Sequence, residues 1–98
     1  MKVCTDACLF GAFTAINIKK ELKNILDIGT GTGLLALMLA QKSNAAIDAV
    51  ELNLHAASQA KENFKSSPWA KQIKLFNTSI QQFHTLKKYD LIISNPPF

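Results

Sequence analysis

A short apolar run, three alternating glycines and a long apolar run follow one another in this sequence, and together they limit its possible folds more than any other feature. Ile25–Ile28 predicts a strand, Gly29, Gly31 and Gly33 predict a tight turn, and residues 34–40 predict a buried helix. Glycine adopts backbone conformations closed to other residues and lets a ligand lie against bare backbone. The helix that follows presents unpaired N–H groups at its first turn.

The same alternation of strands and helices continues along the chain. Further strands are predicted at 46–52, 73–76 and 90–94, and helices after Thr5-Asp6, at 53–64 with Asn53 as its cap, and at about 80–86. Strands that alternate with helices imply right-handed crossovers and a parallel sheet. The predicted fold class is therefore α/β with a parallel sheet, in which ligands bind beyond the carboxyl ends of the strands.

Length and composition bound the class of protein. The chain has 98 residues, which allows one domain at most, and 48% of them are hydrophobic. No apolar run is long enough to span a bilayer and no secretory signal is visible, so a cytoplasmic protein without membrane contact is expected. Eleven lysines and seven acidic residues give a net charge of +4, which fits a polyanionic partner and fits solvated helix faces equally well.

The metal-ligating residue types do not form a pattern that predicts a metal site. Cys4 and Cys8 lie four residues apart, whereas His55 and His84 lie far along the chain and no Cys-x-x-Cys is present. Two buried thiols are the favoured interpretation of the cysteines, and no metal is expected.

Two carboxylates accompany the glycine turn. Asp27 stands two residues before the first glycine, and Glu51 ends the second strand, where its two oxygens could accept both hydroxyls of a ribose. A dinucleotide fingerprint, Gly-x-Gly-x-x-Gly, would need glycine where this chain has Leu34. Glu51 would serve a nicotinamide cofactor equally well, so it does not decide between cofactor classes.

A run of four residues after the last predicted strand, Asn95-Pro96-Pro97-Phe98, does distinguish between the cofactor classes. Proline has no N–H to donate, which leaves the Pro96 carbonyl free to accept, and the Asn95 side-chain oxygen is a second acceptor. Together they could take the two hydrogens of an amine, while Phe98 offers a flat face to a base.

These residues resemble two motifs of class I S-adenosylmethionine-dependent methyltransferases. The segment from Asp27 to Gly33 looks like their motif I, and Asn95 to Phe98 looks like motif IV of the amino-methyltransferases. The resemblance implies a Rossmann-like fold and S-adenosyl-L-methionine as cofactor. It also implies that Asp27 helps to hold the methionine end and that Asn95 and Pro96 orient the target amine.

The narrower resemblance is to bacterial tRNA methyltransferases that modify the exocyclic amine of the anticodon-loop adenine of a valine tRNA. It is carried by residues 1–7, 34–41, 67–70 and 90–98. It implies tRNA as the partner, and it leaves the oligomeric state open. Relatives often have an aspartate after the third predicted strand, where this chain has Ser79, so Ser79 and the Ile80 N–H are the expected contacts to the cofactor's adenine.

Four alternative functions remain open, and two of them are other kinds of methyltransferase. Release-factor glutamine methyltransferases and ribosomal RNA guanine methyltransferases also use an Asn-Pro-Pro run, although the opening Lys2–Asp6 segment argues against both. The other two alternatives are a nicotinamide oxidoreductase and a chain without catalytic activity, which would be either a binding module or a gene remnant.

The resemblance also implies that residues 1–98 are an incomplete methyltransferase domain, with further residues upstream and downstream in the native protein. On this interpretation the sheet is truncated after the fourth predicted strand, which would then be an unpaired edge with Leu91, Ile92 and Ile93 exposed. Such a chain is expected to be unstable or to self-associate.

Overall fold

Five strands and two helices make up the regular structure in the part of the chain that is described, residues 2–4 and 22–94 of a computed structural model. In chain order they are β1 (Lys2–Cys4), β2 (Asn24–Ile28), α1 (Leu34–Lys42), β3 (Ala46–Val50), α2 (Leu54–Lys65), β4 (Ile73–Phe76) and β5 (Leu91–Ser94). The predicted helix after Thr5-Asp6, Cys8 and the run Asn95-Pro96-Pro97-Phe98 lie outside the described residues.

All five strands are parallel and form one sheet in the order β1-β5-β2-β3-β4. At the carboxyl end of the central strand, Ile28 pairs with Val50 of β3 on one side and with Ser94 of β5 on the other. The chain advances from β2 through β3 to β4 and then returns past them to β5, so its direction across the sheet reverses between β2 and β5. Beyond such a reversal point, open parallel sheets bind their ligands.

The larger core lies between the sheet and its two helices. Ile25, Ile47, Leu91 and Ile93, which point to this face from three adjacent strands, are at most 1% exposed. They pack with Ala36 and its neighbours on α1 and with Phe64 on α2. Burial of such side chains contributes on the order of 25 cal/mol per Å² of apolar surface removed from water, so this layer holds the helices against the sheet.

Helix α1 is less completely buried than its apolar composition predicts. Ala36, Leu39 and Ala40 are buried, whereas Leu34 in the first turn is 64% exposed. One face of a helix is enough to cover a sheet, so the opposite face of α1 lies at the surface among the described residues.

The other face of the sheet carries a smaller core around a buried carboxylate. Leu26, Val50 and Tyr89 are buried there, and Asp48 is 3% exposed. The Tyr89 hydroxyl donates to Asp48 Oδ2 at 2.7 Å, and Lys87 Nζ lies 3.2 Å from the same oxygen. A buried carboxylate requires such partners, so this cluster attaches the segment before β5 to the middle of β3.

Tyr89 is expected to make stability fall at high pH. Burial of the ring, and then its hydrogen bond to Asp48, raises the pKa of Tyr89 from 10.0 to about 12. The folded state thus favours the protonated phenol, and this contribution is complete below about pH 10 and is lost as the pH rises through about 12. The free energy of unfolding should therefore fall by about 2 kcal/mol more in the wild type than in Tyr89→Phe over that interval.

The measurement is urea unfolding of both variants at a series of alkaline pH values. Because the chain has one tyrosine, tyrosinate absorbance reports its ionisation directly in the folded chain. A phenol that titrates at its ordinary pKa in the folded chain would contradict the prediction.

Two predictions about the segment from residue 80 to the end of β5 are wrong. Strand β5 is not an edge, because β1 pairs with it from Lys2–Leu91 to Cys4–Ile93. Leu91 and Ile93 are accordingly buried. The sequence analysis predicted no strand at residues 2–4, but the unpaired backbone groups of a strand edge can pair with any extended segment within reach.

The short helix predicted at about 80–86 is also absent. Residues 80–82 form a single turn, with Phe83 N donating to Ile80 O at 3.3 Å, and the chain then continues without regular structure to β5. This segment must pass three strand spacings, about 14 Å, from β4 to β5. Phe83 packs against Phe76 with ring centroids 5.0 Å apart, so the segment covers the sheet face with single side chains instead of a helix.

Candidate functional site

The candidate site lies at the carboxyl edge of the sheet, where the segments that follow β2, β3 and β4 meet. Strand β2 continues into the glycine turn 29–33, β3 into the turn 51–53, and β4 into the segment from residue 77 onwards. Hydrogen bonds connect these three segments directly. The predicted convergence of the glycine turn and Glu51 is therefore present, whereas its third member, the Asn-Pro-Pro-Phe run, lies outside the described residues.

The glycine turn folds over the end of β3. Val50 O accepts hydrogen bonds from Gly29 N at 2.8 Å and from Thr30 N at 3.1 Å. Gly29, Gly31 and Gly33 have φ of 72°, 61° and 90°, whereas no other described residue has a positive φ. A side chain at any of the three would be strained, which explains why glycine occupies these positions.

Gly33 also permits a close approach between the turn and α2. A Cβ placed on it would lie 2.4 Å from Phe64 Cε1, closer than any real carbon contact. Phe64 is 4% exposed and belongs to the larger core, so its ring has little room to move. Gly33 therefore sets how tightly the turn packs on α2.

Gly33→Ala is expected to lower the free energy of unfolding by about 2–4 kcal/mol, from backbone strain and overpacking together. Thermal or urea unfolding measures the loss. The control is Gly31→Ala, which also has a positive φ, of 61°, but no atom within 4 Å of its Cβ, so it introduces backbone strain without a contact to Phe64. An equal loss in both variants would show that the Phe64 contact has no energetic effect.

Gly31 presents bare backbone to open space. Its N–H donates to Glu51 Oε1 at 2.7 Å, and nothing lies within 4 Å of the position that a Cβ would occupy. A ligand can therefore approach this backbone closely, which is the geometry that a nucleoside cofactor requires.

Glu51 connects two of the converging segments. Its Oε1 accepts from Gly31 N at 2.7 Å, and its Oε2 accepts from Asn53 N at 3.0 Å. The side chain is half-buried, and each carboxylate oxygen has a second lone pair. Glu51 can therefore hold the glycine turn and still accept hydroxyl groups from a ligand.

Asp27 lies beneath the turn. It is fully buried, and its Oδ2 accepts from the Thr30 hydroxyl at 2.7 Å. In this structure Asp27 orders the glycine turn through Thr30, a contact that sequence reasoning missed. Its predicted contact with the methionine end of a cofactor stays a prediction.

Ser79 and Ile80 follow β4 on the same edge of the sheet. Ser79 Oγ accepts from Gln82 N at 3.3 Å, and Ile80 is 38% exposed. Leu52, in the turn after β3, is 69% exposed. Leu52, which follows Glu51 in the chain, thus presents apolar surface next to that carboxylate.

Two asparagines that sequence reasoning missed strengthen the convergence. Asn63 Nδ2 on α2 donates to Thr32 O at 2.8 Å, and Asn77 Nδ2 donates to Glu51 O at 2.8 Å. Asparagines are common near the ends of helices and strands, so composition alone offered no signal for either contact.

The predicted amine-binding residues Asn95, Pro96 and Phe98 lie outside the described residues. The residue that precedes them, Ser94, pairs with Ile28, which itself precedes Gly29. The described register thus brings the last residue before the Asn-Pro-Pro-Phe run beside the last residue before the glycine turn.

A parallel sheet whose glycine turn and strand-end carboxylate meet at the reversal point defines a Rossmann-like nucleotide-binding α/β domain. A family model described as the methyltransferase small domain matches residues 11–98. The chain belongs to this family, which confirms the predicted class I methyltransferase fold.

Curated relatives match over the whole chain. It is 59% identical to the tRNA1(Val) (adenine(37)-N6)-methyltransferase of Cytophaga hutchinsonii and 52% identical to that of Haemophilus influenzae. In each comparison all of this chain is covered, together with 41% and 43% of the respective relative. The chain thus spans less than half the length of these relatives.

Solved structures with the same fold include methyltransferases. Arabidopsis thaliana protein arginine methyltransferase 10 matches with a TM-score of 0.73 and 29% identity over 92% of this chain and 26% of its own. The Trypanosoma brucei PRMT1 enzyme–prozyme complex with AdoHcy matches with a TM-score of 0.69 and 29% identity over 76% of this chain and 23% of its own.

Neither a metal-binding cluster nor a membrane-spanning helix occurs among the described residues. Residues 2–4 and 22–94 contain no group of three or more His, Cys, Asp or Glu side chains placed to hold a metal ion. Within the same residues, no helix has the length and apolar character needed to cross a membrane.

Proposed function

We propose that this chain is the cofactor-binding part of an S-adenosylmethionine-dependent N-methyltransferase that acts on the exocyclic amine of an adenine in the tRNA anticodon loop. The observation that carries the proposal is the pair of contacts between Glu51 and the backbone of Gly31 and Asn53 at the reversal point of the sheet. Family membership and the names of the curated relatives support the reaction and the substrate.

The described residues fit a sulfonium nucleoside. Glu51 would accept the ribose hydroxyls, and the open backbone at Gly31 would allow close approach of the amino-acid end. The exposed side chains of Leu52 and Ile80, together with Ser79, would border the adenine ring. When bound, the cofactor supplies a methyl group that is activated by its attachment to a positively charged sulfur.

The chemistry asked of the protein is mainly positioning. An exocyclic amine is a poor nucleophile because its lone pair is delocalised into the ring. The Asn95 side-chain oxygen and the Pro96 carbonyl would accept its two hydrogens and direct the lone pair at the methyl carbon, while Phe98 would support the base. Transfer would form the carbon–nitrogen bond as the bond between the methyl carbon and the sulfur breaks, and the alkylated nitrogen, which has become acidic, would then release a proton to solvent. No strong general base is therefore required at the start. Correct orientation of the two reactants can contribute on the order of 7–11 kcal/mol to lowering the barrier.

The target adenine must leave its base stack to reach the site, and the free energy of unstacking is smallest in a single-stranded loop. The excess of lysine suits contact with tRNA phosphates, and the cytoplasm is the proposed location. We further propose that residues 1–98 are part of a larger methyltransferase domain, because the curated relatives extend well beyond the matched region.

The proposal is tested on the complete native polypeptide that contains this sequence. Calorimetry with S-adenosylmethionine and with NADH separates the cofactor classes, and methyl transfer is then measured to unmodified valine tRNA, a release factor and ribosomal RNA. We expect binding of S-adenosylmethionine and transfer to the tRNA alone. Tight binding of NADH without binding of S-adenosylmethionine would overturn the cofactor class, whereas transfer only to a release factor or ribosomal RNA would overturn the substrate.

A further inference from the structure

Asn77, the first residue after β4, crosses to the turn that carries Glu51. Its Nδ2 donates to Glu51 O at 2.8 Å and to Leu52 O at 3.2 Å. One exposed amide thus holds two consecutive carbonyls of a neighbouring segment. The backbone from which the Glu51 carboxylate projects is therefore tied to the end of β4.

The turn needs this support because it leaves the sheet at that point. The ladder between β3 and β4 is continued by the bond from Glu51 N to Phe76 O at 3.0 Å. Two residues later, Asn53 caps α2, with its side chain accepting from Ala56 N at 2.9 Å. Between these two anchors, Asn77 holds the carbonyls that neither the strand nor the helix uses.

The position of the carboxylate depends on the same backbone. Glu51 reaches Gly31 N with Oε1 and Asn53 N with Oε2, and both distances change if the turn moves. Hydrogen bonds weaken steeply as their geometry departs from the optimum. A small displacement of the turn would thus loosen the glycine turn and misplace the acceptor for the ribose.

We propose that Asn77 is a positioning residue for cofactor binding that acts through Glu51. This inference rests on the proposed function only for the identity of the ligand, because the contacts themselves belong to the chain. It assigns to Asn77 an effect on cofactor affinity without contact between its side chain and the cofactor.

The chain offers a matched control at the opposite end of the same strand. Gln72, the residue before β4, donates from Nε2 to Ser43 O at 2.6 Å and to Ala45 O at 2.8 Å. It is also a primary amide that holds carbonyls of a neighbouring turn, but it lies at the amino edge of the sheet. Gln72→Ala removes comparable bonds away from the site.

The test measures affinity for S-adenosylmethionine and steady-state kinetics on the complete native polypeptide. Asn77→Ala should weaken affinity about tenfold, equivalent to about 1.4 kcal/mol, with kcat nearly unchanged at saturating cofactor. Asn77→Asp, which keeps the size but loses the donor, should weaken it at least as far. Gln72→Ala should leave affinity unchanged, and adding Asn77→Ala to Glu51→Ala should cause little further loss.

A second readout needs no cofactor. Exchange of the Gly31 amide hydrogen with solvent, measured by NMR, should be faster in Asn77→Ala and Glu51→Ala than in the wild type and Gln72→Ala. Unchanged exchange in Asn77→Ala, full additivity with Glu51→Ala, or an equal loss of affinity in Gln72→Ala would overturn the inference. If the wild type failed to bind S-adenosylmethionine while the Gly31 amide still responded, the proposed function would fail and the positioning role of Asn77 would stand.

Discussion

Asn95→Ala is expected to lower methyl-transfer turnover by at least about a hundredfold, whereas affinity for S-adenosylmethionine should change little. The reason is that the side-chain oxygen of Asn95 would orient the target amine, and misplacement of a reactant can cost a factor of about a hundred in rate. The described register supports this role, because Ser94 pairs with Ile28 at the start of the glycine turn. Single-turnover transfer to valine tRNA and calorimetry on the complete native polypeptide measure the two quantities separately.

Two further variants sharpen this test. Asn95→Asp keeps the size and an acceptor oxygen, so it should retain more turnover than the alanine variant. Asn44→Ala removes an exposed asparagine that follows α1, at the amino edge of the sheet, and should behave as the wild type. Near-normal turnover in Asn95→Ala would show that the amine is oriented by other groups.

Glu51→Ala is expected to weaken cofactor binding by about ten- to a hundredfold. The substitution removes the acceptor proposed for the ribose, and it also removes the bonds to Gly31 N and Asn53 N that hold the glycine turn. Hydrogen bonds to a charged group contribute about 1.5–3 kcal/mol, which corresponds to this range of affinity. Calorimetry measures the loss, and kcat at saturating cofactor should fall far less than affinity.

Glu62 provides the matched control for this prediction. It is an exposed carboxylate on α2, and Glu62→Ala should leave affinity unchanged. Glu51→Gln should fall between alanine and the wild type, because its amide retains one acceptor oxygen. Equal affinity in the wild type and Glu51→Ala would show that Glu51 does not contribute to cofactor binding. The proposed cofactor would then lose its main structural support.

Much of the site could be predicted from the sequence because it depends on local patterns. Strand β4 was predicted with the bounds that the structure has, and Asn53 was correctly predicted as the cap of α2. The carboxyl ends of parallel strands meet at one edge, so a glycine turn and an acidic residue at two such ends had to lie close together. The contact between Gly31 and Glu51 is the result.

The contacts that organise the site were not predictable in the same way. Asn77, Asn63 and Thr30 all hold backbone or carboxylate groups in or beside the glycine turn and the turn after β3. Nothing in their local sequence separates them from other polar residues near element ends. Which carbonyl an exposed amide reaches depends on the positions of segments that are distant in sequence.

The sequence by itself determined the order of the elements from β2 to β4, the tight turn at the glycines and the edge of the sheet where the site forms, because strand periodicity and glycine conformation are local properties. Only the tertiary structure decided that Lys2–Cys4 pairs with β5, that Tyr89 and Lys87 surround Asp48, and that Asp27 lies buried under the turn. Those outcomes depend on pairing and burial between distant segments, where strand edges and buried charges take whichever partner the completed packing brings within reach.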